Sequence, residues 1–194
     1  MRSGTAERVS KETRITVTVN LDGGPVAVAT GVGFFDHLLE AFAKHGRFGL
    51  VVAAQGDLHI DVHHTIEDTG IVLGQAFRAA LGDRVGVERT GHAWFPMDEA
   101  LLFAAFDLGG RSYLAWRVYV PGVYVPAIDL TVLEGFWKAF VDHLGANLHV
   151  ENFHGRDYHH VVEGVSKAVG RALRAATRLD GTTTLASTKG MLDC

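Results

Sequence analysis

The amino-acid sequence predicts an α+β protein in which sheet packs against helices, and three observations carry that reading. A segment with strict β alternation (RITVTVNL, 14–21) stands beside segments with helical apolar spacing (36–45 and 64–81). Strands and helices intermix along the chain, joined by many short hairpins, instead of separating into blocks. The second half then runs through a similar succession of segments to the first.

In order along the chain, residues 14–21 alternate β-branched and polar side chains, and Asp22-Gly23-Gly24 is a turn signal, so this strand enters a hairpin. Leu38, Leu39 and Phe42 fall at helical spacing in 36–45, with Asp36 as N-cap and Gly46 as the stop. LVVAAQGDLHIDV reads as a hairpin or strand pair around Gln55-Gly56-Asp57. From His64 to Leu81 the apolar period is helical again, ending at Gly82. Residues 99–120 read as two strands, LLFAAFDL and SYLAWRVYV, around Gly109-Gly110. A helix over 133–144, a strand over 147–152 and a helix over 160–178 complete the chain.

The repeat is explicit in the letters. HHTIEDTGIVLGQAFRAAL, from His63, aligns with HHVVEGVSKAVGRALRAAT, from His159, at an offset of 96. His63, His64, Glu67, Gly74, Ala76, Arg78, Ala79 and Ala80 meet identical residues there. LHI (58–60) matches LHV (148–150), and DHLLEAFAKHG lines up with EGFWKAFVDHLG at an offset of 98, placing Phe42 on Phe140 and His45 on His143. Three matches in one order indicate a duplicated unit of roughly 90 residues.

Composition narrows the function. The chain of 194 residues is long enough for one well-cored domain, or for two small ones sharing a core. With 18 Lys and Arg against 22 Asp and Glu, it lacks the basic excess of a nucleic-acid binder. Its apolar runs fall short of the ~20 residues that span a bilayer, and no charged-then-apolar leader opens it. One Cys, Cys194, can staple nothing within the chain, so a cytoplasmic setting is expected. Eleven His make imidazole and carboxylate the donors for any transition metal, which suits Mn, Fe, Co, Ni or Zn.

Residues at i and i+3 or i+4 share a helix face, so His63 or His64 can converge with Glu67 on one cation. Adjacent helical side chains diverge by about 100°, so His63 and His64 serve different ions. His159, His160 and Glu163 repeat the arrangement. One such motif is easily a polar surface helix; two at matched repeat positions point to two pseudo-equivalent metals. His37, 26 residues before His63, joins them only through the fold, and His45 suits the negative end of its helix. Arg89, Arg111 and Lys189 are cations able to bind an anion such as phosphate, the last within STKG (187–190).

Taken together these residues closely resemble the imidazoleglycerol-phosphate dehydratase family. The resemblance lies in RVSKET (8–13), TGVGFFDHLLEAFAKHG (30–46), GDLHIDVHHTIED (56–68), PMDEAL (96–101), DLGGRSYL (107–114), LHV (148–150), GRDYHHVVE (155–163) and STKG (187–190). It implies a single catalytic domain over 1–194, made of two similar βββα-type halves at about 8–95 and 96–192, of the ribosomal protein S5 domain 2-like kind. It further implies two Mn2+ ions per active site, at interfaces of an octahedral homo-oligomer of 24 subunits built from trimers. The implied reaction is loss of water from imidazole glycerol phosphate, giving imidazole acetol phosphate in histidine biosynthesis, with no redox cofactor. Metal ligands would then be His37, His63, His64, Glu67, His159, His160 and Glu163. Substrate positions would be Glu12, His37, His45, Arg89, Arg111, Ser187 and Lys189, with Glu12, Glu67 or Glu163 as the acid or base.

Two positions depart from the family pattern. Gly135 stands, by the repeat, opposite His37, where the resemblance implies a further histidine ligand; water, Glu134 or His143 would have to replace it. Val62 stands where a second Asp often precedes the His pair. Two other functions fit the motifs: a different dinuclear-metal enzyme acting on phosphate esters, and a metal-binding assembly protein without catalysis. A di-iron helix bundle fits less well, since it needs four long helices and Glu-x-x-His order.

Overall fold

The computed structural model describes residues 2–121 and 128–192, so the reading of Cys194 lies outside the described residues. Two runs of six elements follow the same order. The first comprises β1 (Ser3–Val9), β2 (Thr13–Asn20), β3 (Val26–Ala29), α1 (Gly33–Gly46), β4 (Gly49–Gly56) and α2 (His63–Leu81). The second comprises β5 (Thr90–Met97), β6 (Ala100–Asp107), β7 (Tyr113–Arg117), α3 (Leu130–Leu144), β8 (Asn147–His154) and α4 (Tyr158–Thr177). Each unit therefore adds a strand and a helix to the simple βββα pattern. The second run starts at Thr90, inside the stretch expected to close the first half.

Among the described residues the strands form two four-stranded sheets, ordered β1-β2-β4-β3 and β5-β6-β8-β7. β2 buries Ile15, Val17 and Val19 and turns Arg14, Thr16 and Thr18 outward; β6 does the same with Leu102, Ala104 and Phe106. Helices α1 to α4 lie between the two buried sheet faces, and one core of Phe, Leu and Val side chains joins both units. α1 packs on α4 and α2 on α3. These contacts are tight and symmetric: a Cβ at Gly170 would stand 2.4 Å from the Phe42 carbonyl oxygen, and one at Gly74 2.4 Å from the Phe140 carbonyl oxygen. Glycine there lets the helix backbones touch.

Several local expectations change. β2 does not pair with the strand after Asp22-Gly23-Gly24; its hairpin partner is β1, while β3 runs parallel to β4 because α1 carries the chain back. No hairpin forms around Gln55-Gly56-Asp57. β4 ends at Gly56, where Thr65 packs, and the Ile60 amide donates to the Asp57 carbonyl in a turn leading to α2. Asp36 is not the N-cap; α1 begins three residues earlier, and the Asp36 carboxylate accepts from the Thr30 amide and hydroxyl instead. Beyond Arg117 the β7 strand stops, and the Asn152 side chain satisfies both backbone groups of Tyr119. The strands unmarked by alternation, β1, β3 and β5, are all edge strands, where Pro96 of β5 is tolerated. No helix among the described residues is long and apolar enough to cross a membrane.

Candidate metal centre and phosphate-binding residues

The repeated motif opens both long helices. Asp157 caps α4 by accepting from the amides of His159 and His160, and Asp61 accepts from the His63 amide at the start of α2. In both helices the first histidine reaches back to the glutamate one turn on: His63 Nε2 lies 2.9 Å from Glu67 Oε2, and His159 Nε2 lies 2.9 Å from Glu163 Oε2. The rings of each adjacent pair stand nearly perpendicular, at 81° for His63 and His64 and 88° for His159 and His160, so each pair aims in two directions.

The fold brings His37 from α1 into the α4 site. Its Nε2 stands 3.3 Å from Glu163 Oε1, and donor atoms of His37, His159 and Glu163 all lie within 4.8 Å of one another. Among the described residues this is the one group of three such donors. Phe34 packs its ring against both imidazoles. Glu163 is nearly buried, and Lys167, one turn further, holds its Oε1 at 2.8 Å. Burial pushes the Glu163 carboxyl upward, but the ammonium of Lys167 and the ring of His37 outweigh it and keep the group below its ordinary range. Two imidazole nitrogens and an ionised carboxylate, compactly placed, suit a divalent ion.

His64 and His160 turn away from these glutamates and are oriented by other carboxylates. Asp57 Oδ2 lies 3.0 Å from His64 Nδ1, and Glu99 Oε2 lies 2.8 Å from His160 Nδ1. Each carboxylate favours the ring proton on Nδ1 and leaves the lone pair on Nε2, which in His160 also faces Asp98 Oδ2 at 3.4 Å. Both histidines are accordingly shifted upward by their partner carboxylates. Glu99 also accepts from the amides of Asp157 and Arg156, and these bonds, with that from His160, bring its carboxyl down to about 2.

Glu12 sits exposed at the tip of the β1–β2 hairpin, and its charge acts on His64. Ser10 Oγ accepts from the Glu12 and Thr13 amides, and Thr13 Oγ1 donates to buried Asp68, which also holds Arg8. His45, at the end of α1, packs on the edge of Phe95. Burial first, with Lys167 and Arg171 nearby, lowers its pKa and so favours the neutral form.

Arg89, Ser187 and the glycine turn before Arg111 come together at the other end of the second unit. Arg89, in a left-handed backbone conformation, is gripped by Asp107 and donates to the Ala186 carbonyl, next to Ser187. One Arg89 nitrogen lies beside Gly109, and the Arg111 carbonyl takes the Asn147 side chain. The STKG segment is folded: Ser187 Oγ donates to the Met191 carbonyl, and the Lys189 amide donates to Ser187 Oγ. Asp57, Glu99 and Lys167 escape a reading of the histidine motifs alone. The signals were present, however: Lys167 is four residues after Glu163, and Asp57 and Glu99 stand in GDLHIDVHHTIED and PMDEAL.

Fold and donor set together define a duplicated α+β protein with a His and Glu centre able to hold a metal ion. The family model for imidazoleglycerol-phosphate dehydratase matches residues 30–173. The chain belongs to the imidazoleglycerol-phosphate dehydratase family and is a hydro-lyase of histidine biosynthesis. It is 50% identical over 194 residues to the imidazoleglycerol-phosphate dehydratase of Lacticaseibacillus casei, covering 99% of this chain and 100% of the relative. The Geobacter sp. enzyme of that name is 48% identical over 193 residues, covering 98% and 99%. The crystal structure of the Staphylococcus aureus dehydratase superposes with a TM-score of 0.82 at 32% identity, covering 91% of this chain and 99% of that one. The Pyrococcus furiosus enzyme, in complex with (S)-C348, gives the same score and identity over 96% and 99%.

Proposed function

We propose that this chain removes water from imidazole glycerol phosphate to give imidazole acetol phosphate, using Mn2+, in the cytoplasm. The carrying observation is the His37, His159 and Glu163 group with its counterpart at His63 and Glu67. The whole chain acts as one catalytic domain of two similar halves, about 8–95 and 96–192. His37, His159 and Glu163 would hold one ion and His63 and Glu67 the other, with His64 and His160 reaching ions of neighbouring copies. A divalent ion so held would supply Lewis acidity that favours the substrate's imidazolate, whose electrons help hydroxide leave the carbon beside the ring.

The chain's own groups do the rest. Glu67 and Glu163 face histidine nitrogens and Glu99 is bound by two amides and His160, whereas Glu12 projects from a hairpin tip beside His64. We infer that Glu12 takes the proton from the middle carbon of the glycerol chain as hydroxide leaves the carbon beside the ring as water, and the enol so formed becomes the ketone. Arg89, Arg111, Ser187 and Lys189 grip the phosphate, and His45 contacts the substrate.

Distance supports an oligomeric site. Arg89 hydrogen-bonds Ala176 near the end of α4, while His159 stands at its start. Seventeen residues of helix separate them by about 26 Å. The substrate, on bond lengths of about 1.5 Å, is roughly 10 Å long. Phosphate-binding and metal-binding groups of one chain cannot share one substrate, so a second copy completes the site. The assembly we infer is the octahedral homo-oligomer of 24 subunits built from trimers. Purified Mn2+-loaded protein incubated with imidazole glycerol phosphate should form the ketone product. Absence of turnover in the loaded, assembled protein refutes the reading, and release of inorganic phosphate instead favours a phosphate-ester hydrolase.

A further inference from the structure

The two metal centres are built from equivalent elements but not from equal donor sets. The close approaches of Gly170 to Phe42 and of Gly74 to Phe140 place α1 against α4 as α3 stands against α2. In that correspondence His159 and Glu163 match His63 and Glu67, with the same 2.9 Å spacing. His37, the third donor of the α4 centre, corresponds to Gly135 on α3. Among the described residues no third His, Cys, Asp or Glu completes a group with His63 and Glu67. His143 cannot substitute: its Cβ stands against Gly74, about two helical turns beyond Glu67, and its Nδ1 bonds the Ala139 carbonyl. Glu134, the neighbour of Gly135, joins no such group either.

The surroundings differ in the same sense. Glu163 is 9% exposed at its side chain, while Glu67 is 48% exposed. Within the single chain the Glu67 carboxylate is thus the less fixed of the two before an ion arrives. Gly135 has open space where its side chain would start, with nothing within 4 Å.

We propose that this chain has unequal divalent-metal centres: a tight one at His37, His159 and Glu163, and a weak one at His63 and Glu67 whose missing position lies at Gly135. The inference rests on the metal-dependent reading above. Loss of groups merely supporting a metal ligand costs about 10–100-fold in affinity, and loss of an imidazole ligand itself should cost at least that much. Lys167 acts against the α4 centre by its charge, so the decisive variant is one that changes only the α2 centre. Gly135→His supplies the missing imidazole, and Gly135→Ala controls for helix stabilisation without a donor.

The experiment is calorimetric titration of chelator-stripped protein with Mn2+ alone, with the metal content of the reassembled protein measured after desalting. The wild type should show two classes of site, with the weaker class lost on desalting. Gly135→His should tighten the weak class at least tenfold and retain it through desalting, and Gly135→Ala should leave it unmoved. His37→Gly should remove the tight class and leave two weak ones. One class of equal sites in the wild type, or a weak class unmoved by Gly135→His, overturns the proposal. Failure to bind Mn2+ at all overturns it together with the metal-dependent reading.

Discussion

Replacing Glu99 by Gln separates two roles of one carboxylate. Its Oε1 accepts from the amides of Arg156 at 3.0 Å and Asp157 at 2.8 Å, and its Oε2 accepts from His160 Nδ1 at 2.8 Å. A carboxamide oxygen can keep the two amide bonds, so the entry to α4 survives. The carboxamide nitrogen is a donor and cannot accept from Nδ1–H. His160 would then move its proton to Nε2, the atom needed for coordination. The expected loss in Mn2+ affinity is about 10–100-fold, with turnover falling in step. Calorimetry on the assembled protein measures it; affinity unchanged in Glu99→Gln would refute the assignment of Glu99 as the group orienting His160. The same variant has a pH signature in metal-free protein. The Glu99 carboxyl, lowered from 4.5 to about 2 by the amides and His160, contributes stability that is fully present above its unfolded value. That contribution is lost as pH falls from about 4.5 through about 2, so wild type should lose its advantage over Glu99→Gln in that window.

Other perturbations test the scaffold. Gly170→Ala forces a Cβ to 2.4 Å from the Phe42 carbonyl oxygen, which should cost about 1–3 kcal/mol by overpacking and lower the thermal midpoint by several degrees; an unchanged midpoint contradicts the contact. Asp68→Ala removes the buried acceptor of Thr13 Oγ1, at about 1–3 kcal/mol in chemical denaturation. It should also lower kcat by loosening the turn that carries Glu12, and Asp68→Asn should restore part of both. For His45, burial first and the nearby cations second depress the folded pKa below the ordinary 6.5. The unfolded chain then binds the proton more readily, so native stability declines as pH falls through 6.5 and levels off below the folded value. His45→Gln should lack that decline in pH-resolved melts; parallel curves would show that His45 does not titrate in this way.

Much of this was legible in the letters because the duplication was. His63 and His159, with glutamates four residues on, mark helix starts by themselves, and period 3.6 marks the helices that follow. What stayed hidden was mostly long-range. Nothing local pairs β2 with β1 and β4 instead of β3, and edge strands such as SGTAERV and TGHAWFPM bury almost no residue fully. His37 could be named from family resemblance, but its meeting with Glu163 depends on α1 packing across the repeat onto α4. Gly135 could be recognised as a departure from the sequence, whereas the open space beside it could not.

The claim on which the account turns is that metal-binding and phosphate-binding groups of different copies make one site. His160→Ala and Lys189→Ala should each abolish turnover when assembled alone. Co-assembled in equal amounts, they should recover about a quarter of wild-type activity, because that fraction of shared sites draws an intact histidine from one copy and an intact lysine from another. No recovery from verified mixed assemblies would show that each chain completes its own site, and would contradict the account.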